Sequence, residues 1–253
     1  MIRVCKMSGE ELVSASIEEV GDAKGLKSLL RSWYGFPVCL QQLLHHGNSL
    51  DDDAMLLLHV PMDLQLVLLS MISPAQQYEA HCELTAACED GTTQVVQRLL
   101  DAGAQPNLQY AMFANPSGLG EIESGTTPLM GAAENGHTEI IGLLLEAGAG
   151  KDLQNWSGDT ALMSAAAAGQ VESVRLLLKV GANKELQNEL GSTAIALAAR
   201  DGQVEIVQLL LEAGADKDVK DVCKDTALSA AARYGHQEIV HMLSDAPVCT
   251  AYR

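Results

Sequence analysis

GDTALMSAAAAGQVESVRLLLKVGANKELQNEL, residues Gly158 to Leu190, holds the pattern that decides the fold. Thr160 precedes a run of small apolar residues, Ala165 to Ala168, and Gly169 breaks that run. A second run follows with Val171, Val174 and Leu177-Leu178 at helical spacing, and Gly181 ends it. The reading is two short helices. The first is thin and threonine-capped, so neighbours can stack closely, and the second is amphipathic and stopped by a left-handed glycine. Units opening at Gly125, Gly158, Gly191 and Lys224 repeat this pattern in phase every 33 residues. An earlier unit fits through Leu84, Ala87, Val95-Val96 and Leu99-Leu100. The breaker glycines are then Gly91, Gly136, Gly169, Gly202 and Gly235, with 12 additional residues between the first and second.

Thr127-Pro128-Leu129 before Ala132-Ala133, the Leu-Leu-Glu-Ala-Gly-Ala run and the 33-residue period resemble ankyrin repeats. The resemblance implies an all-α solenoid of five units over 73–247, at about 74–109, 125–157, 158–190, 191–223 and 224–247, with an insertion at about 109–124. The histidine usual after the leucine is replaced by Met130, Met163, Ala196 and Ser229, which is expected to loosen one hydrogen bond within each unit. His137 and His236 follow breaker glycines and are expected to bond at helix starts. Ser73-Pro74 is expected to cap and open the helix that leads into the array, and Pro247 to end the last one.

The first 72 residues lack this period. Ile2 and Val4, then Val13, Ala15 and Ile17, alternate as the strands of a hairpin around Ser8-Gly9. Asp22 is placed to cap a helix whose face is Ala23, Leu26, Leu30 and Trp33, closed by Gly35. Leu43-Leu44, Leu50 and the alternation Leu64, Leu66, Leu68 supply further strands. Met1, Lys27, Gly35, Pro37, Gln41, Leu43, Gly47, Leu50, Asp52 and Leu56 together resemble ubiquitin. That resemblance implies a β-grasp domain over 1–72, making the chain α+β: a ubiquitin-like domain followed by the helical solenoid. The chain continues Leu69-Ser70-Met71-Ile72 with no Gly-Gly pair, against a conjugated modifier.

The charge of −17 repels phosphate backbones, so nucleic acid is excluded as a partner. Ala54 to Ile72 is apolar, but Pro61 and Asp63 interrupt it, so it is read as a loop and a buried strand and no membrane insertion is expected. Six cysteines without a C-x-x-C pair suit reduced thiols in an intracellular protein, cytoplasmic or nuclear. Asp51-Asp52-Asp53 is read as a solvated turn. No phosphate loop, dinucleotide fingerprint or zinc motif occurs, and the histidines are scattered, so no enzyme activity, cofactor or metal is expected.

The ankyrin resemblance assigns protein-contact positions to the β-turn tips and inner helices. These are Glu123, Ser124, Thr126, Glu134 and Asn135, then Trp156, Ser157, Asp159, Ala167 and Ala168. The fourth and fifth units supply Glu189, Leu190, Ser192, Arg200 and Asp201, then Val222, Cys223, Asp225, Arg233 and Tyr234. Trp156, Leu190 and Val222 fall at or beside one tip position and would form an apolar ridge, or pack on neighbouring tips. Arg200 and Arg233 would lie beside them as two cations, while the net charge favours basic flanks on the client. The ubiquitin resemblance assigns a second patch to Met7, Leu44 and Val67, with Gln42 and Gln65 where basic residues are common. Within the insertion, Tyr110, Met112 and Phe113 are candidates for a binding loop, or for a plug on neighbouring structure. The implied function is a protein-interaction adaptor linking a client to ubiquitin or proteasome machinery. The alternatives are a plain scaffold or inhibitor with a structural cap, or the regulatory subunit of an enzyme.

Overall fold

The computed structural model describes residues 2–6, 11–15, 22–45, 48–50, 62–69, 72, 76–109 and 125–245. The chain divides into two compact units, Met1–Leu84 with Thr92–Gln105, and Thr85–Gly91 with Pro106–Arg253.

In the first unit, strands β1 (Ile2–Lys6), β2 (Glu11–Ala15), β3 (Gln41–His45), β4 (Asn48–Ser49) and β5 (Met62–Leu68) form one sheet in the order β2-β1-β5-β3-β4. The central β1–β5 pair is parallel, with Val4 opposite Leu64, and the other pairs are antiparallel. Helix α1 (Ala23–Tyr34) begins at Asp22, whose Oδ1 accepts from Gly25 N at 2.7 Å. It ends at Gly35, whose φ of 62° lets the cap N–H reach the Arg31 carbonyl. Val4, Leu43, Leu64 and Leu66 of the sheet meet Ala23, Leu26 and Leu30 of α1 in a closed core. The expected face is corrected at its last position: Trp33 is 52 % exposed. The helical drift carries position 33 outward, and Tyr34 takes the inward place. Its ring stacks on Phe36, and its hydroxyl donates to the Leu12 carbonyl at 2.6 Å.

Helices α2 (Gln77–Glu89) and α3 (Thr93–Asp101) follow. Glu83, on α2, accepts from Val38 N at 2.7 Å and Cys39 N at 2.9 Å, capping the short 3-10 turn Val38–Leu40, and also meets Arg31 at 3.4 Å. Arg98, on α3, donates to the Tyr34 and Gly35 carbonyls at 2.9 and 2.7 Å and lies over the Phe36 ring. The sheet, α1 and these helices are thus joined by charge-assisted bonds.

The second unit stacks helix pairs. The inner helices are α4 (Pro128–Glu134), α6 (Ala161–Ala167), α8 (Ala194–Arg200) and α10 (Ala227–Tyr234). The outer helices are α5 (Thr138–Glu146), α7 (Val171–Lys179), α9 (Val204–Glu212) and α11 (Gln237–Asp245). Alanines 132–133, 165–166 and 198–199 are buried, which lets the inner helices approach closely, while Ile141, Val174 and Val207 fill the core behind them. Thr127, Thr160 and Thr226 cap their helices as expected, but Thr193 makes no side-chain cap bond. The expected loosening is corrected in the last unit: Ser229 Oγ accepts from Thr226 N at 2.8 Å, replacing the missing imidazole. The His137 and His236 backbones bond at the helix starts as expected, their carbonyls accepting from Ile141 N and Val240 N, both at 3.0 Å. Their rings serve a different contact: Nε2 reaches across to the Glu89 and Arg200 carbonyls of the preceding pair at 3.0 and 2.9 Å. The ring crosses where the earlier breaker glycine has no side chain: a Cβ on Gly202 would lie 2.7 Å from His236 Cε1.

Ser73, Pro74, Pro247 and the Asp51-Asp52-Asp53 run lie outside the described residues.

Candidate functional site

Asn155, Asn188 and Asp221 occupy one repeat position and build the tips between helix pairs. Each Oδ1 accepts two backbone N–H groups. Asn155 takes Ser157 and Asp159 at 3.0 and 2.8 Å, Asn188 takes Leu190 and Ser192 at 3.1 and 2.9 Å, and Asp221 takes Cys223 and Asp225, both at 2.8 Å. Such side-chain turns fix the backbone locally. Sequence reasoning passed over these three residues, although the signal was present as Asn-x-x-Gly recurring in phase at Asn155 and Asn188.

The tips are also stitched to one another. Glu189 N donates to the Ser157 carbonyl at 2.9 Å, and Val222 N to that of Leu190 at 3.0 Å. Gln154 Nε2 bonds Gly158 O and Gln187 O, and Gln187 repeats the arrangement with Gly191 O and Lys220 O. A Cβ on Gly158 would stand 2.7 Å from Glu189 N, so that tip can close on the next only with glycine there.

Trp156, Leu190 and Val222 are 42, 58 and 66 % exposed. The indole rests on Gly125, whose absent Cβ would meet Trp156 Nε1 at 2.6 Å. Behind the tips lies a groove of about 790 Å³. Among the expected contact residues it gathers Thr126, Glu134, Ser157, Asp159, Ala167, Ala168, Glu189, Leu190 and Arg200, and it adds Asn155, Met163, Ser164, Asn188 and Leu197. Asn135, Trp156, Ser192, Asp201, Val222, Cys223, Asp225, Arg233 and Tyr234 lie on the same unit but do not line it.

The two expected cations are engaged. Arg200 binds both oxygens of Asp201, at 3.0 and 2.9 Å, and that carboxylate holds the guanidinium pKa above its ordinary value. Arg233 pairs with Asp225. At the opposite end of the inner-helix row, burial raises the Glu89 carboxyl pKa, and the charges of Asp90 and Glu134 push it further the same way.

Leu44 is half-buried on β3. Val67 lies on β5 opposite Gln42, with its side chain outside the described residues, as are Met7, Glu123, Ser124, Tyr110, Met112 and Phe113. Among the described residues no group of three His, Cys, Asp or Glu is placed to hold a metal ion. No described helix is long and apolar enough to cross a membrane. The five described cysteines are unpaired thiols, and burial pushes Cys39 and Cys88 further toward the neutral form.

A family model described as ankyrin repeats, in three copies, matches residues 84–188 and 178–250. The chain belongs to the ankyrin-repeat family. No curated protein matches the chain. Ankyrin repeats are typically non-enzymatic and serve as scaffolds for protein–protein interaction, and membership suggests that role, with protein partners, for this chain.

Proposed function

We propose that the chain is a non-enzymatic adaptor whose client lies across the tips and the groove behind them. The observation that carries this reading is the groove bounded by tips already held by side-chain and tip-to-tip hydrogen bonds. A surface ordered before binding loses little entropy when a partner arrives. Exposed Leu190 and Val222, with Trp156 half-exposed beside them, supply the apolar contacts that interfaces concentrate. The test is site-specific photocrosslinking in cells. A photoreactive residue replacing Val222 should capture a protein, and the same residue replacing Gln208, exposed on α9, should not. Equal capture at both positions would refute the reading.

The N-terminal module is read as a ubiquitin-like β-grasp domain over about 1–72, with the repeat domain over about 73–247. The sheet order β2-β1-β5-β3-β4, its parallel central pair and the packing of α1 support this assignment. Docking on ubiquitin receptors would use Leu44 and Val67 of β3 and β5. Leu44→Asp in the full chain should then weaken binding to isolated receptor domains without changing the far-UV spectrum. No binding of the wild-type chain in such a titration would refute docking. Glu83 and Arg98 favour a second reading, in which the module is a structural cap, because they bond it directly to α2 and α3.

A further inference from the structure

The inner-helix ends carry one pair of residues per repeat at equivalent positions: Glu89-Asp90, Glu134-Asn135, Ala167-Ala168, Arg200-Asp201 and Arg233-Tyr234. Four pairs present long polar side chains. The third presents only two methyl groups, and both alanines line the 790 Å³ groove. The third repeat is therefore a notch in the row, one side chain deep, open between Glu134 and Arg200.

We infer that this notch seats a lysine or arginine side chain of an extended protein segment, between Glu134 and the tip carboxylates Asp159 and Glu189. The inference rests on the reading of this face as the client surface, and it specifies what the client brings. The sign follows from charge complementarity. Glu134, Asp159 and Glu189 all line the groove, whereas the one cation lining it, Arg200, is already bound on both oxygens by Asp201. Asp159 is held in place by Asn188 Nδ2 at 2.8 Å. The carboxylates of Glu134, Asp159 and Glu189 repel one another across the groove; an arriving cation relieves that repulsion, and an anion adds to it. The apolar lining sets the rest of the segment. Exposed Leu190 favours an aliphatic residue beside the basic one; Met163 and Leu197 also line the groove but are buried. A second copy of this chain, at −17 overall, is repelled from the same surface.

The test is selection of randomised 12-residue displayed peptides on the full-length protein, followed by anisotropy titration of the enriched peptides. Two variants are compared with wild type: Ala168→Arg, which fills the notch with a like charge, and Glu134→Gln/Glu189→Gln. Ala168 is the exposed C-cap residue of α6, in right-handed backbone that arginine adopts without strain, and both glutamates are exposed, so far-UV spectra should not change. Enriched peptides should share a lysine or arginine at a fixed position. Ala168→Arg should weaken them at least about tenfold, and the double variant about fivefold, as two partly exposed ion pairs allow. Changing that basic residue to glutamine should lower affinity in wild type but not further in the double variant, the signature of direct coupling. Peptides that Ala168→Arg blocks, but that carry no shared basic residue, would overturn the inference and leave the client surface standing. Peptides indifferent to Ala168→Arg, or no enrichment, would overturn both.

Discussion

One position of the repeat should respond to substitution with a graded and finally reversed sign. Gly158, Gly191 and Lys224 are equivalent, and all three adopt left-handed backbone, with φ of 77°, 75° and 66°. An L side chain in that region costs roughly 1–2 kcal/mol. At Gly158 a Cβ would also stand 2.7 Å from Glu189 N and 2.8 Å from Asn188 Cα, backbone atoms that hydrogen bonds hold in place. Overpacking against such atoms adds roughly 1–3 kcal/mol. Gly158→Ala should therefore destabilise by about 3 kcal/mol. At Gly191 the nearest atom is Asp221 Cα at 3.0 Å, and about 2 kcal/mol is expected there, between the strain alone and the full clash. Lys224→Gly removes the left-handed strain but adds backbone freedom to the unfolded chain, about 0.5–1 kcal/mol. It should lie between neutral and about 1 kcal/mol stabilising. Urea unfolding followed by far-UV circular dichroism reads all three, with unchanged m-values as the control for a common transition. A cost under about 1 kcal/mol for Gly158→Ala, or clear destabilisation by Lys224→Gly, would refute the reasoning.

Ser173 is fully buried where the equivalent residues are Ile140, Ile206 and Ile239, and its hydroxyl finds no hydrogen-bond partner. Ser173→Ile should stabilise by about 1–2 kcal/mol, read by chemical unfolding, and a loss of stability would show that the site is closed to the added methyl groups. Glu83→Ala strands the Val38 and Cys39 N–H groups and should cost about 3 kcal/mol; a loss below 1 kcal/mol would show that the cap is dispensable. Burial lowers the His81 pKa to about 4. Its neutral form is favoured in the folded state, so stability is complete above about pH 6.5 and declines as pH falls toward 4, by up to about 3 kcal/mol. His81→Leu should flatten that decline, and an unchanged pH profile would assign it to other groups. Trp156→Ala should cost less than about 1 kcal/mol of stability because the ring is half-exposed, but about 2 kcal/mol of client affinity. Loss of stability without loss of affinity would make the indole a packing residue of Gly125.

The repeat frame was legible because its signals recur: a threonine cap, a small-residue helix and two glycines are each weak alone and decisive in phase. What escaped was set by side-chain direction. Arg200 and Arg233 counted as cations by position, but each guanidinium turns onto a carboxylate, at Asp201 and Asp225. His137 and His236 were placed at the correct helix starts, yet the imidazole reaches across to the preceding pair because a glycine leaves room. Trp33 followed the correct apolar period one step too far, since Tyr34 had both a stacking partner and an acceptor. Asn155 and Asn188 recur in phase, but their role is visible only in the folded turn, where each side chain holds two backbone N–H groups. In the N-terminal unit, Glu83 and Arg98 lie 45 and 64 residues beyond Val38 and Tyr34, and no local pattern announces pairs so distant.

The stitching of the tips gives the repeat array an inextensible edge. Backbone and glutamine hydrogen bonds have fixed lengths, whereas the apolar contacts between outer helices can slide with little directional penalty. Thermal bending should then pivot about the tips, with strain taken up among α5, α7, α9 and α11. The spacing from Trp156 to Leu190 to Val222 would stay constant while the outer face breathes. A bound segment would meet these residues as marks on a ruler, so inserting or deleting one of its residues between two contacts should be penalised more than changing either contact.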